Sequence, residues 1–125
     1  MSDVRILVVE DDPDGADMVS MLLESAGVEA VVAGDAETAL GWLQNQDETF
    51  SAAVIDLALP NMDGMELMGH IRNLQSVAQF PMIAVTAFHT PELKVRMLDA
   101  GFDAYFAKPL DTNLFLRGIE QVLGL

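Results

Sequence analysis

Five short apolar runs, each followed by a segment with helix punctuation, constrain this chain more than any other feature of it. The runs cover residues 4–9, 28–33, 52–55, 81–85 and, more weakly, 104–107. Several are apolar without alternation, the pattern of strands buried on both faces of a parallel sheet. Asp12-Pro13 supplies a helix cap followed by proline at the first helical position, and Gly27 supplies a stop. Asp35 caps a second helix to about Asn45, and a third begins near Asp63-Gly64 and runs to about Gln75. Thr90-Pro91 opens a fourth that ends before Gly101. Asp111 or Thr112 opens the last, with Phe115, Leu116, Ile119, Val122 and Leu123 as its apolar face. The order (βα)5 predicts an α/β fold, a doubly wound parallel sheet with right-handed crossovers and helices on both faces.

No linker, repeat or composition shift divides the sequence, so residues 1–125 read as a single domain with no room for an output domain. No apolar run approaches the length of a membrane span, and no signal peptide precedes the first strand. The chain has no cysteine, which removes disulfides, thiolate metal sites and cysteine nucleophiles together and fits a cytoplasmic protein. Its net charge is −14, with only six Lys and Arg residues, scattered, which argues against direct nucleic-acid binding.

The acidity has a more specific reading at the strand ends. In a doubly wound sheet, ligands bind outside the carboxyl ends of the strands. The first strand finishes in Glu10-Asp11-Asp12, the third in Asp56, the fourth in Thr86 and the fifth in Lys108-Pro109. Crowded carboxylates repel unless a cation compensates, and a hard divalent ion takes oxygen ligands. An aspartate can be the nucleophile of phosphoryl transfer, with a metal, a lysine and a threonine hydroxyl neutralising the transferred group. Any one of these residues alone is more often a solvated strand end, a helix cap or a surface cation. The weight lies in five compatible residues at four strand ends that one fold brings together.

At this point the chain resembles the response-regulator receiver family over essentially its whole length. Leu7-Val8-Val9-Glu10-Asp11-Asp12-Pro13 is similar to the family's first-strand acidic motif, with Glu10 where aspartate is more common. The segment from Ile55 through Asp63-Gly64 is similar to the phospho-acceptor loop, with Asp56 as acceptor. Val85-Thr86-Ala87 and Lys108-Pro109 match the threonine and lysine motifs, and Tyr105 occupies the aromatic switch position. The resemblance implies a flavodoxin-like sheet of order 2-1-3-4-5. It implies Mg²⁺ (or Mn²⁺) held by Glu10 or Asp11, by Asp56 and by the backbone carbonyl of Ala58, with Asp12 left as a cap. The implied phosphodonor is a sensor histidine kinase or a histidine phosphotransfer protein. It further implies output through Thr86 and an inward turn of Tyr105, and it allows a phosphorylation-dependent dimer.

Other residues have plainer readings. His70 and His89 read as surface or boundary residues, Trp42 as packing, and the methionines mostly as core filler. On the first helix, Met18 lies at the edge of the apolar face, beside Leu22, and Met21 falls among polar residues. Such exposure is either incidental or a docking surface for the phosphodonor. The competing functional readings are a receiver-like interaction module that works without phosphorylation, and a receiver excised from a hybrid kinase or larger regulator. An aspartyl-phosphate phosphatase fits less well, because Ala58 stands where such enzymes carry a second acid. A flavin carrier fits least, since no phosphate-binding loop follows the first strand.

Overall fold

A computed structural model describes residues 3–45, 49–74 and 80–125. The elements alternate as expected: β1 (Arg5–Val9), α1 (Pro13–Ser25), β2 (Glu29–Ala33), α2 (Ala36–Gln44), β3 (Ala52–Asp56), α3 (Gly64–Arg72), β4 (Met82–Thr86), α4 (Pro91–Ala100), β5 (Ala104–Ala107) and α5 (Thr112–Leu123). The third helix ends at Arg72, capped by Asn73, short of the anticipated end near Gln75, which itself lies outside the described residues. Every pairing is parallel, and the sheet order is β2-β1-β3-β4-β5. This is the flavodoxin-like order. Among the described residues, no helix is long and apolar enough to cross a membrane.

The helix starts follow the sequence punctuation closely. Asp12, Asp35, Asp63, Thr90 and Asp111 are all N-caps, and each side chain accepts a backbone N–H from the third residue of its helix. Gly27 ends α1 at φ 79°, a left-handed conformation that glycine adopts without a Cβ penalty.

Two cores lie on opposite faces of the sheet, because successive side chains of each strand point to opposite sides. Leu7, Val9, Ile55, Met82 and Ala84 pack with α2, α3 and Met97 of α4. Ile6, Val8, Val54, Ile83 and Val85 pack with Val19 and Leu23 of α1 and Phe115 and Ile119 of α5. The central strands β3 and β4 are buried at every position, which explains their continuous apolar runs.

The methionines divide. Met68, Met82 and Met97 are core, whereas Met18, Met21 and Met65 are exposed. The layering places the ends of β1, β3, β4 and β5 along one edge, with the first turn of α1 beside them.

Candidate functional site

The register of the sheet assembles the site. Asp56 is the last residue of β3 and pairs with Val85, so Thr86 lies one step further along β4. Thr86 pairs with Ala107, and its carbonyl accepts the N–H of Lys108 at 2.8 Å. On the other side, β1 pairs with β3 up to Val9 and Ile55, so Glu10 emerges beside Asp56.

Burial makes this group unusual. Glu10, Asp56 and Thr86 are the buried polar residues among those described, all under 7% exposed. Lys108 Nζ bridges both acids, donating to Glu10 Oε1 at 2.5 Å and to Asp56 Oδ2 at 2.9 Å. The other oxygen of Asp56, Oδ1, accepts the N–H of Ala58 at 2.9 Å. Carboxylate oxygens of Glu10, Asp11 and Asp56 lie within 4.8 Å of one another. Asp12 is not in that cluster, because its carboxylate caps α1 through the N–H of Gly15 at 3.2 Å.

Three carboxylates against one ammonium leave the cluster short of positive charge, and its protonation reflects this. Burial pushes Glu10 up to about 7, and hydrogen bonding with Asp56 adds to the rise, with Lys108 opposing. Burial also pushes Asp56 upward, but hydrogen bonds from Glu10, Lys108 and the Ala58 N–H outweigh it and hold Asp56 below the ordinary carboxylate value. Burial lowers Lys108, yet its two acidic partners raise it above its usual value. The outcome is an ionised Asp56, a charged Lys108 and a Glu10 that carries a proton much of the time at neutral pH.

A pH prediction follows from Glu10. Its ordinary value is 4.5 and its folded value is about 7, so the folded state binds this proton more tightly. The stabilisation is fully present below pH 4.5 and is lost as pH rises through 7. Asp56, depressed from 3.8, acts oppositely and in the acid range, losing stabilisation only as pH falls. Glu10→Gln should therefore raise the metal-free melting temperature at pH 8, by about 1–2 kcal/mol in stability, and have little effect at pH 5. Melting curves in EDTA at the two pH values test this; an equal change at both would sink it.

Comparison with known proteins decides the family. A family model for the response regulator receiver domain matches residues 6–120. The chain belongs to that family. An uncharacterised 14.6 kDa protein from Leptolyngbya boryana is 38% identical over 97% of this chain and 91% of its own length. A CheY-like receiver domain protein from Methanospirillum hungatei superposes with a TM-score of 0.85 at 35% identity, covering 97% of this chain and 94% of that one. The receiver domain of sensor histidine kinase PA1611 from Pseudomonas aeruginosa has a TM-score of 0.87 at 28% identity, covering 98% of both chains. That structure carries a magnesium ion in its active-site cleft. The chain spans about half the length of several other curated relatives, among them transcriptional regulators.

Within this receiver, Thr86 and Tyr105 occupy the β4–β5 side of the site. Thr86 Oγ1 accepts the N–H of Phe88 at 3.0 Å, which leaves its own O–H to donate elsewhere. The sequence predicts a tyrosine that turns inward on phosphorylation. Here Tyr105 is already buried, at 8% exposure, with its hydroxyl 2.9 Å from His89 Nδ1 and the two rings tilted at 5.5 Å between centroids. Burial raises the Tyr105 hydroxyl above its usual value. His89, read from sequence as a surface or boundary residue, is thus the hydrogen-bond partner of Tyr105. Phe88 projects into solvent, 72% exposed.

On the opposite side, a cleft runs from α1 to the β5–α5 loop, lined by Asp14, Gly15, Met18, Val19, Lys108, Pro109 and Leu110. Met18 and Met21 are 57% and 68% exposed, while Leu22 is half-buried against the α1–α5 core. Of the three candidate docking residues, Met18 borders the cleft beside Lys108, Met21 lies further along exposed α1, and Leu22 serves packing.

Proposed function

We propose that this receiver accepts a phosphoryl group on Asp56 from a phosphohistidine of a sensor kinase or histidine phosphotransfer protein. One observation carries the reading: an ionised, buried carboxylate at a strand end, 2.9 Å from a lysine and clustered with two further acids. A carboxylate oxygen of Asp56 forms the new P–O bond as the donor's P–N bond breaks. Lys108 neutralises charge on the transferred group, and the Thr86 hydroxyl donates to one of its oxygens.

The donor set fits Mg²⁺: all hard oxygens, with an excess of negative charge beside Lys108. Glu10, Asp11, Asp56 and the carbonyl of Ala58 would hold it. Bound there, the ion supplies charge neutralisation for the phosphoryl oxygens. Output runs through Thr86. Engaging its hydroxyl with the phosphoryl group alters the loop through Phe88 and His89, and with it the hold on Tyr105 and the surface of α4, β5 and α5. The apolar cleft around Met18 would receive the phosphodonor's helix. A cytoplasmic setting fits such a partner.

The direct test is intact-mass measurement after incubation with acetyl phosphate and Mg²⁺. A single added phosphate, absent when EDTA replaces Mg²⁺, is the expected result. No addition under these conditions would favour an interaction module that works without phosphorylation.

A further inference from the structure

Glu10 is a long acid in a tight place. Its side chain leaves the end of β1 and reaches Lys108 by passing along the first turn of α1. The residue it passes is Gly15. A Cβ built on Gly15 would lie 2.5 Å from Glu10 Oε1, 3.0 Å from Cδ and 3.4 Å from Cγ. Three successive atoms of Glu10 therefore run against the bare Cα. The closest, Oε1, is the oxygen that accepts from Lys108. The second oxygen, Oε2, faces the N–H of Asp12 at 3.5 Å, so the carboxylate is enclosed on both sides.

Gly15 also lines the cleft beside Met18 and Lys108, but its backbone does not call for glycine. It sits inside a helix, where glycine is the poorest residue after proline. Its φ is not positive, unlike those of Gly27, Gly101 and Gly124, so no left-handed turn needs it. Its N–H bond to the Asp12 cap is a backbone bond that any residue but proline could make. What glycine supplies at this position is space, and Glu10 fills it.

We propose that Gly15 is a positioning residue of the acidic site, matched to Glu10. Its missing side chain forms the notch that holds the longer carboxylate against Lys108 and within reach of Asp11 and Asp56. Alanine at this position would push Oε1 off the lysine and turn the carboxylate out of the cluster. An aspartate at position 10 ends one carbon earlier, so it does not need the notch. The packing half of this inference stands on distances alone; the metal half rests on the Mg²⁺ reading above.

Four proteins test it: wild type, Gly15→Ala, Glu10→Asp and the double variant. Each is measured for melting temperature in EDTA and for Mg²⁺ affinity by calorimetry. With Glu10 present, Gly15→Ala should lower the melting temperature and weaken Mg²⁺ binding roughly tenfold, as loss of an orienting contact does. With aspartate at position 10, the same substitution should raise the melting temperature, since alanine is the better helix former, and leave Mg²⁺ binding unchanged. A reversal of sign between backgrounds is a coupling that a purely local effect on α1 cannot produce. The same change in both backgrounds, in either direction, overturns the proposal. Coupling in melting temperature with no Mg²⁺ binding by any of the four overturns the metal reading and leaves the notch.

Discussion

Asp56→Asn should abolish phosphate incorporation while leaving the fold intact. The substitution keeps the shape of the side chain and the bond from the Ala58 N–H to its Oδ1 position. It removes the negative charge and the nucleophilic oxygen. The alternative acceptors are close, since carboxylates of Glu10 and Asp11 lie within 4.8 Å of Asp56 and of each other. Proximity alone would let either substitute. Charge separates Glu10 from Asp56. In the metal-free protein with Asp56 present, burial and the neighbouring acid hold Glu10 up at about 7, so it is the less ionised of the two. Asp56 is held low and ionised by its hydrogen bonds, which is the state that attacks phosphorus. Asp11 is exposed, unlike buried Asp56, and does not bond Lys108 at the strand end. Intact-mass spectra of Asp56→Asn after acetyl phosphate and Mg²⁺ should therefore match those of untreated protein. A full equivalent of phosphate on the variant, mapped to Glu10 or Asp11, would overturn the assignment of the acceptor.

How much of this was legible in the sequence depended on the range of the interaction. Local signals read well. The caps at Asp12, Asp35, Asp63, Thr90 and Asp111 work through hydrogen bonds three residues away, so residue type and spacing are enough. The buried strands also read well, because two helix layers leave no face for polar residues. The convergence of Glu10, Asp56, Thr86 and Lys108 followed once the strands were taken as parallel neighbours. The order of those strands came by family resemblance rather than from periodicity, since nothing in an apolar run says which neighbour it takes.

Contacts set by tertiary packing did not read. The His89–Tyr105 bond joins a loop to a strand across 16 positions, and neither residue breaks any local pattern. Nothing in the local pattern marks Gly15, because what it meets is the Glu10 side chain folded back across the first turn of α1. Ser20 of α1 has a buried hydroxyl oxygen without a hydrogen-bond partner among the described residues. A helical wheel places a side chain by angle and takes no account of the layer that covers it.

The lysine carries the second large effect. Lys108 is bonded to two carboxylates whose side chains are 3% and 9% exposed, and it is itself 23% exposed. Lys108→Met keeps most of the aliphatic stem and removes the ammonium, leaving two buried acids facing each other. Breaking a buried ion pair from one side costs about 3–5 kcal/mol; the partial exposure of the lysine reduces this to about 2–3 kcal/mol, on the order of 10 °C. The loss should depend on pH with a definite sign. Without the ammonium, both carboxylates titrate higher in the folded state, so the variant is least destabilised at low pH and most above pH 7. Mg²⁺ should restore much of the loss, because a divalent ion between the acids supplies the missing charge and binds only the folded state. Phosphorylation should remain slow even with the metal, since the transferred group still lacks its ammonium. Melting in EDTA at pH 5 and pH 8, repeated with Mg²⁺, separates these contributions. A loss of the same size under all four conditions would mean that Lys108 stabilises the fold by packing, and that its charge does not hold the acidic cluster together.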